Sequence, residues 1–316
     1  MDTVLRFVGI DVSKRRLDVF VQGHGAAFFT NDSVGIQQCI DWLGEGPAKV
    51  GLEATGNYHE LVAETLLEKG FAVHVYNPRN IRDLAKGLGI LAKTDRVDAK
   101  ALSRCLSIVE APLRRRSATG KELRDVSRHI QYLTRECSSF KKKRYQTGLS
   151  PLVMDSINRQ IQMFELEIQT LEKQWIALLA ASEVHAVRYR HLLTVPRIGC
   201  KSARAIVSEL PEDLSTYSRK GLAAYFGLAP YDNQSGDRVR RSRLLHGNAH
   251  MRQPLFMAAT LALRLDPVCL ELRNRLNAKG KHYLTIVCAV MHKLARRAIA
   301  VLLDNRPWEE TTPVLT

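Results

Sequence analysis

Two short apolar runs in the first third of the chain each end in a carboxylate. Arg6-Phe-Val-Gly-Ile-Asp11 is the first, and Lys49-Val-Gly-Leu-Glu53 follows about forty residues later. Ile10 and Leu52 stand beside the two acids, so both strands are expected to be buried up to the charge. A buried charge without a partner is costly. The pattern therefore requires a fold that gathers strand ends and supplies something for them to hold. Lys93-Thr-Asp95-Arg-Val-Asp98-Ala-Lys100 adds two acids at i and i+3, near one helical face. Four acids from two strands and one helix are what a divalent-metal nuclease site needs. Mg²⁺ takes one or two carboxylates plus waters and phosphate oxygens, and two such ions can clamp the attacking and leaving oxygens of a phosphodiester. The helical pair has another reading, a helix N-terminus with Asp95 as cap and Asp98 favoured by the macrodipole. That reading leaves Asp11 and Glu53 unexplained. Asp18 reads equally well as a surface residue.

Hydrophobic periodicity places these acids on elements. Residues 5–30 alternate as three strands, Arg6–Asp11, Leu17–Gln22 and Ala26–Thr30, with Gly23-His-Gly25 as a turn. Ser33 is expected to cap a helix running to Leu43. Lys49–Glu53 is a strand, Tyr58–Lys69 a helix stopped by Gly70, and Phe71–Tyr76 a strand closed by Asn77-Pro78. A helical stretch from Asn80 and the Val97–Ile108 helix follow. The order βββαβαβα is a mixed-sheet α/β layout. Leu113–Arg144 reads as a charged helix with basic runs at Arg114–Arg116 and at Lys141, Lys142, Lys143 and Arg144. Gly148-Leu-Ser-Pro151 breaks it. Leu152–Ala181 is a second long helix, with Ile157, Ile161, Phe164, Ile168, Leu171, Trp175 and Leu178 along one seam. The two form an antiparallel hairpin or coiled coil, or a pair of ordinary bundle helices, and the seam offers a dimer surface. From His191 the chain reads as a compact helical module. Its helices cover Leu222–Phe226, Met251–Leu265 and Lys281–Leu303, and a polar loop runs from Tyr231 to Arg243.

Charge divides the chain in the same way. The 316 residues carry a net +15, but residues 1–110 hold 13 Lys/Arg against 14 Asp/Glu, and residues 111–316 hold 34 against 18. A net of −1 beside a net of +16 suggests metal chemistry in one part and a polyanion held by the other. Clustered cations are the footprint of nucleic acid, where binding gains from counterion release. No apolar run is long enough to span a bilayer; Leu284–Met291 is the longest late one. Six scattered cysteines without Cys-x-x-Cys or a secretory signal are expected to be free thiols in a reducing cytoplasm.

Two further segments carry chemistry. In Tyr231-Asp-Asn-Gln-Ser235-Gly236-Asp-Arg238-Val-Arg240-Arg241-Ser-Arg243, Ser235 can be a nucleophile toward a phosphodiester once a base or metal takes its proton. The arginines would then neutralise charge on the phosphate oxygens. The same letters also fit a plain turn and a solvated basic face. Val195-Pro-Arg197-Ile-Gly199-Cys-Lys201 resembles a helix-hairpin-helix motif, which presents backbone N–H groups to phosphate, although Arg197 replaces the usual first glycine. A plain interhelical turn fits as well. His246 and His250 read as lining a helix N-terminus or contacting phosphate.

Taken in order, Gly9-Ile-Asp11-Val-Ser-Lys14, Leu52-Glu53-Ala-Thr-Gly56-Asn-Tyr58, Asn77-Pro78, Lys93-Thr-Asp95-Arg-Val-Asp98-Ala99, Leu193–Gly199, Gly227-Leu-Ala-Pro230 and Ser235-Gly236 resemble the DEDD transposases of the insertion-sequence-110 family. The resemblance covers about 6–106 and 190–265. It implies an RNase H-like (RuvC-like) α/β domain over 1–112, an α-helical coiled-coil linker over 113–186 and a mainly α-helical transposase domain over 187–316. It maps the metal-binding acids onto Asp11, Glu53, Asp95 and Asp98, with Mg²⁺ or Mn²⁺ as cofactor, and the nucleophile onto Ser235. It further implies a structured bridge RNA that pairs with donor and target double-stranded DNA. It also implies a homodimer or dimer of dimers in which one subunit's acids meet another's serine, and phosphoserine intermediates at the bacterial nucleoid. Arg197, Lys201, Arg238, Arg240, Arg241, Arg243 and Lys141–Arg144 are the expected nucleic-acid contacts. Two other classes remain open on the residues alone: a metal-dependent nuclease of the junction-resolvase type, and a non-catalytic nucleic-acid scaffold.

Overall fold

Val8, Ile10 and Val12 of the first strand, β1 (Arg6–Val12), are fully buried, whereas Phe7 and Asp11 are half-buried. This is the two-residue period of a strand covered on both faces. The computed structural model describes residues 5–54, 56, 58–90, 95–108, 117–215, 217–228, 231–235, 238–243 and 248–309, with backbone alone for 95, 96, 231–235 and 238–243. The Arg114–Arg116 run, His246, Gly236 and the Lys93-Thr94 dipeptide lie outside them. The chain forms two compact units, Met1–Arg115 and Arg116–Thr316.

In the first unit β1 is followed by β2 (Arg16–Val21), β3 (Gly25–Thr30), α1 (Ser33–Leu43), β4 (Ala48–Glu53), α2 (Tyr58–Glu68), β5 (Ala72–Tyr76), α3 (Pro78–Gly87) and α4 (Asp95–Ile108). The sheet order is β3-β2-β1-β4-β5, antiparallel on the β2 side and parallel from β1 to β5. The three-strand meander followed by parallel strands is the layout expected from the alternation. On one face Val8, Ile10, Leu17, Val19, Val50 and Leu52 pack with Ile36 and Cys39 of α1 and Val62 and Leu66 of α2. On the other, Leu102, Cys105 and Leu106 of α4 pack with Tyr76, Ile81 and Phe7. Asp32, not Ser33, caps α1: its backbone is extended (φ −140°, ψ 174°) and its carboxylate accepts from the Gly35 N–H at 2.8 Å. Ser33 is already helical. A carboxylate at this position also meets the positive helix end, and the Asp32 carboxyl is held below its ordinary pKa first by that Gly35 bond. Asn77 caps α3, so the helix starts at Pro78 rather than Asn80.

The second unit comprises α5 (Ala118–Lys143), α6 (Pro151–Ala180), α7 (Glu183–Thr194), α8 (Cys200–Glu209), α9 (Arg219–Tyr225), β6 (Tyr231–Ser235), β7 (Arg238–Arg243), α10 (Ala249–Leu265), α11 (Pro267–Ala278) and α12 (Tyr283–Leu303). The apolar seam of α6 faces α5 of its own chain. Ile157 and Ile161 bury with Cys137, and Trp175 and Leu179 bury with Leu123 and Ile130. The Trp175 indole N–H donates to the Leu123 carbonyl at 3.0 Å. The surface expected to serve a dimer is thus filled within the chain, because a 26-residue neighbour joined by a short link reaches it first.

Two elements depart from the sequence reading. The segment 231–243, expected as a polar loop, is a two-stranded antiparallel hairpin with Ser235 opposite Arg238 and Gln234 opposite Val239. Its strands carry almost no apolar alternation in the sequence, which is the pattern by which a strand is read. The sequence reading also has no helix between Leu265 and Lys281. There, Asp266 ends α10 and caps α11, accepting from the Cys269 N–H at 3.0 Å, and Pro267 takes the first helical position.

Candidate active site

The positions of the acids follow from two glycines. Gly9 of β1 and Gly51 of β4 are register partners, and Ile10 pairs with Leu52. Asp11 and Glu53 are the next residues on the two neighbouring strands. A side chain at residue 9 would come within 2.0 Å of the Ala99 carbonyl and 2.5 Å of the Ser103 N–H, and one at 51 would meet Leu106. Both glycines therefore face α4, and two residues on, Asp11 and Glu53 share that face. The Ser103 hydroxyl donates to the Phe7 carbonyl at 2.9 Å. With Ser103 at Phe7 and Ala99 at Gly9, α4 runs antiparallel to β1. Its first turn, Asp95 to Asp98, consequently lies at the level of Asp11. Asp11 and Glu53 thus stand at one end of the sheet on the face that α4 covers, and Asp98, half-buried, belongs to that helix. Among the described residues no three His, Cys, Asp or Glu side chains close into a metal cluster. The carboxylates would offer a divalent cation oxygen donors alone, the donor type that Mg²⁺ takes.

Asp18, left open as a surface residue in the sequence, is buried to 7% exposure and stands directly opposite Asp11 in the β1–β2 ladder. It extends the acids to a third strand. Its partner is Arg16, whose Nη2 lies 2.6 Å from the carboxylate. The period-two pattern Arg16-x-Asp18-x-Phe20 is the signal that could have found it.

Ser235 and its arginines belong to the second unit, so the acids and the serine lie in different compact units. Buried polar groups fasten the hairpin's roots. Glu209, 2% exposed, takes a two-pronged bond from Arg128 (2.6 and 2.9 Å) and another from the Asn248 amide at 2.5 Å. The Tyr225 hydroxyl donates to the Glu209 carbonyl at 2.8 Å. Tyr225 precedes the hairpin and Asn248 follows it, so one residue of α8 ties both ends. Gln131 donates to the His250 carbonyl at 3.2 Å, which turns its own oxygen toward His250 Nδ1 at 3.1 Å. That geometry assigns the proton to Nδ1. Burial, then the nearby Arg128, hold His250 below its ordinary pKa. Ser235 closes the far end of the hairpin, about 13 Å of extended strand from Tyr231.

Arg197 takes the left-handed conformation (φ 69°) that a glycine would adopt without strain, and its guanidinium donates to the Leu265 carbonyl at 2.7 Å. The turn between α7 and α8 is thus made at a cost, and α8 starts at Cys200 after Gly199. Lys201 is exposed on the first turn of α8. Lys141 pairs with Glu165 across the α5–α6 hairpin at 2.7 Å, a bond that raises its pKa. Lys142, Lys143 and Arg144 are exposed at the end of α5.

A family model of the DEDD, IS110 type, described as a transposase, matches residues 8–148. A second, described as the transposase IS116/IS110/IS902 family, matches residues 189–273. The chain belongs to the IS110 family of transposases. Two relatives named pilin gene-inverting protein, from Moraxella bovis and Moraxella lacunata, are each 28% identical over 96% of this chain and 98% of their own. The insertion element IS110 uncharacterized 43.6 kDa protein of Streptomyces coelicolor is 27% identical over 53% of this chain and 40% of its own. This transposase is an enzyme of DNA recombination, and divalent-metal dependence goes with its DEDD type. No helix among the described residues is long and apolar enough to cross a membrane.

Proposed function

We propose that this transposase exchanges DNA strands with a metal-binding set made of Asp11, Glu53, Asp95 and Asp98 and a nucleophile, Ser235. The observation that carries the reading is the register of β1 and β4. It sets Asp11 beside Glu53 on the face that the first turn of α4 covers. A divalent ion held there supplies charge neutralisation to phosphodiester oxygens. Ser235 Oγ forms a bond to phosphorus, the phosphorus–oxygen bond to the deoxyribose breaks, the serine proton is lost and the leaving oxygen is protonated. The phosphoserine conserves the bond energy, so reversal of the step rejoins DNA. The name of the Moraxella relatives, which speaks of gene inversion, favours cutting with rejoining over the cutting alone of a junction-resolvase-type nuclease.

The RNase H-like character of the first unit belongs to this reading, as do the coiled-coil character of α5 and α6 and the three-part division at 112 and 186. A structured bridge RNA pairs with donor and target DNA, and the basic second unit with Arg197, Lys201 and Lys141–Arg144 holds nucleic acid. The subunits act as a homodimer or dimer of dimers at the bacterial nucleoid, with Ser235 of one facing the acids of another.

The test is a denaturing gel of reactions containing the protein, the RNA encoded beside its gene, and donor and target DNA. A protein–DNA adduct should form with the wild type and be lost with Ser235→Ala and with Asp11→Asn, while DNA binding stays within a few-fold. Cleavage that survives Ser235→Ala would return the chain to the simple nuclease class. Recombination unchanged after ribonuclease treatment would remove the RNA. Partial rescue on mixing the two variants would support sharing between subunits, and no rescue under proven subunit exchange would reject it.

A further inference from the structure

We propose that Arg16, held by Asp18 and Phe28 beside the acids, is a binding site for a backbone phosphate of the DNA strand that enters the acid site. The inference rests on the reading of Asp11 and Glu53 as that site.

The ladders place four residues in one lateral row. Phe28 of β3 is opposite Asp18 of β2, Asp18 is opposite Asp11 of β1, and Glu53 follows on β4. Cross-strand partners share a face, so the row lies on the α4 side. Lys100 of α4 confirms that side, with its ammonium 5.8 Å from the ring centre of Phe20, two residues from Asp18. Neighbouring strands are about 4.8 Å apart. The acids therefore end at Asp18, one strand short of an exposed aromatic ring, Phe28 at 66% exposure. Arg16 joins the two. Its Nη2 is 2.6 Å from Asp18 Oδ1, and its guanidinium carbon is 4.3 Å from the Phe28 ring centre. The side chain remains half exposed.

Asp11 and Asp18 are like charges directly opposite in the ladder, which by itself is destabilising, and the Arg16 guanidinium offsets this while half of its side chain stays in solvent. That exposed half is what a phosphate can meet. A guanidinium has five donors in a planar fork and can bond a carboxylate and a phosphate together. The carboxylate and the ring fix its direction before DNA arrives, which lowers the ordering cost. The turn beneath is also fixed. The Arg16 N–H donates to Ser13 Oγ at 3.1 Å, and the Ser13 N–H and hydroxyl donate to the Arg16 carbonyl at 2.9 and 3.0 Å. The same turn exposes Lys14 and Arg15. Cations stand at the open edge of the acids, where a strand drawn toward bound metal passes.

The experiment measures binding of the full chain to a fluorescent duplex of about 30 base pairs, and separately to a structured RNA, in Ca²⁺ over a range of salt. Arg16→Gln should weaken DNA binding about tenfold, as loss of a charge-assisted bond implies. It should also lower the slope of log affinity against log salt by about one. Arg16→Gln leaves Asp18 buried without its partner, so Arg16→Gln/Asp18→Asn is measured beside it and should show the same slope. Lys69→Gln, an exposed charge at the opposite end of the sheet, should leave the slope unchanged. A wild-type slope in both Arg16 variants, or an equal drop in Lys69→Gln, would overturn the proposal. So would a drop confined to RNA. Cleavage by Asp11→Asn protein would instead overturn the acid site, while the salt slope would still decide the role of Arg16.

Discussion

Replacing Gly9 with alanine tests the geometry on which the acids depend. The new Cβ would lie 2.0 Å from the Ala99 carbonyl oxygen and 2.5 Å from the Ser103 nitrogen, and ordinary contact begins near 3.4 Å. Both obstacles are backbone, so no side chain can rotate away, and α4 has to retreat from β1 by about 1.4 Å. Overpacking of this kind costs about 1–3 kcal/mol. The retreat also breaks the Ser103–Phe7 bond, at about 1 kcal/mol. A loss of about 2–4 kcal/mol lowers the melting temperature of a unit this size by roughly 8–16 °C. The same retreat draws Asp98 away from Asp11, and a displacement of about 1 Å at a reacting site costs on the order of a hundredfold in rate. Gly51→Ala is the internal control. Its Cβ meets the Leu106 side chain at 2.8 Å, which can turn aside, so about 1 kcal/mol is expected. Calorimetry of the first unit's transition and Mn²⁺ titration by paramagnetic resonance would measure both effects. If Gly9→Ala melts within 2 °C of the wild type (about 0.5 kcal/mol or less) and binds Mn²⁺ normally, the account of why α4 meets the strands is wrong.

Three other outcomes follow from the second unit. Arg197→Gly should be about 1 kcal/mol more stable than Arg197→Ala in urea melts, because both lose the bond to Leu265 and only glycine relieves the left-handed strain; equal stability would contradict it. Glu209→Ala should cost about 1–3 kcal/mol by removing the buried carboxylate that accepts from Arg128 and Asn248. It should also speed hydrogen exchange across 231–243, whereas unchanged exchange would show that the roots are held by other contacts. Burial holds His250 and His292 below their ordinary 6.5, so the unfolded chain binds more protons than the folded one near that pH. Stability from this source is complete above 6.5 and is lost as pH falls through the lowered folded values. A His250→Gln variant should show a shallower fall in melting temperature between pH 6.5 and 5, and an unchanged slope would refute the assignment.

Strands β1, β2, β4 and β5 were legible because each has a buried apolar face, and β3 because the Gly23–Gly25 turn and Asn31 bound it. The acids at 11 and 53 were legible as strand ends, but the reason they stand side by side was not. That depends on which strands pair, and nothing within β1 or β4 alone specifies their register. Asp18 was passed over because a lone acid in an alternating run looks solvated, and only the ladder puts it opposite Asp11. The hairpin at 231–243 was hidden because arginine, asparagine and glutamine write no apolar period. The helix at 267–278 was hidden because Asp266-Pro267 reads as an ending, although the same pair is a strong helix start. The seam of α6 was read correctly as a packed stripe, and its partner was found within the chain.

That seam is not uniform along its length. Near its base, Leu123, Ile130, Trp175 and Leu179 merge with the main core of the second unit, while Cys137, Ile157 and Ile161 form a small cluster of their own. The helical pair is therefore a beam clamped at one end. Its outer portion is held by a few side chains from the pair itself, so thermal energy bends it there first. A small rotation at the clamp becomes a large sweep at Tyr145 and Leu152. Amide exchange along α5 should record this as a gradient, slow near Leu123 and faster toward Lys143.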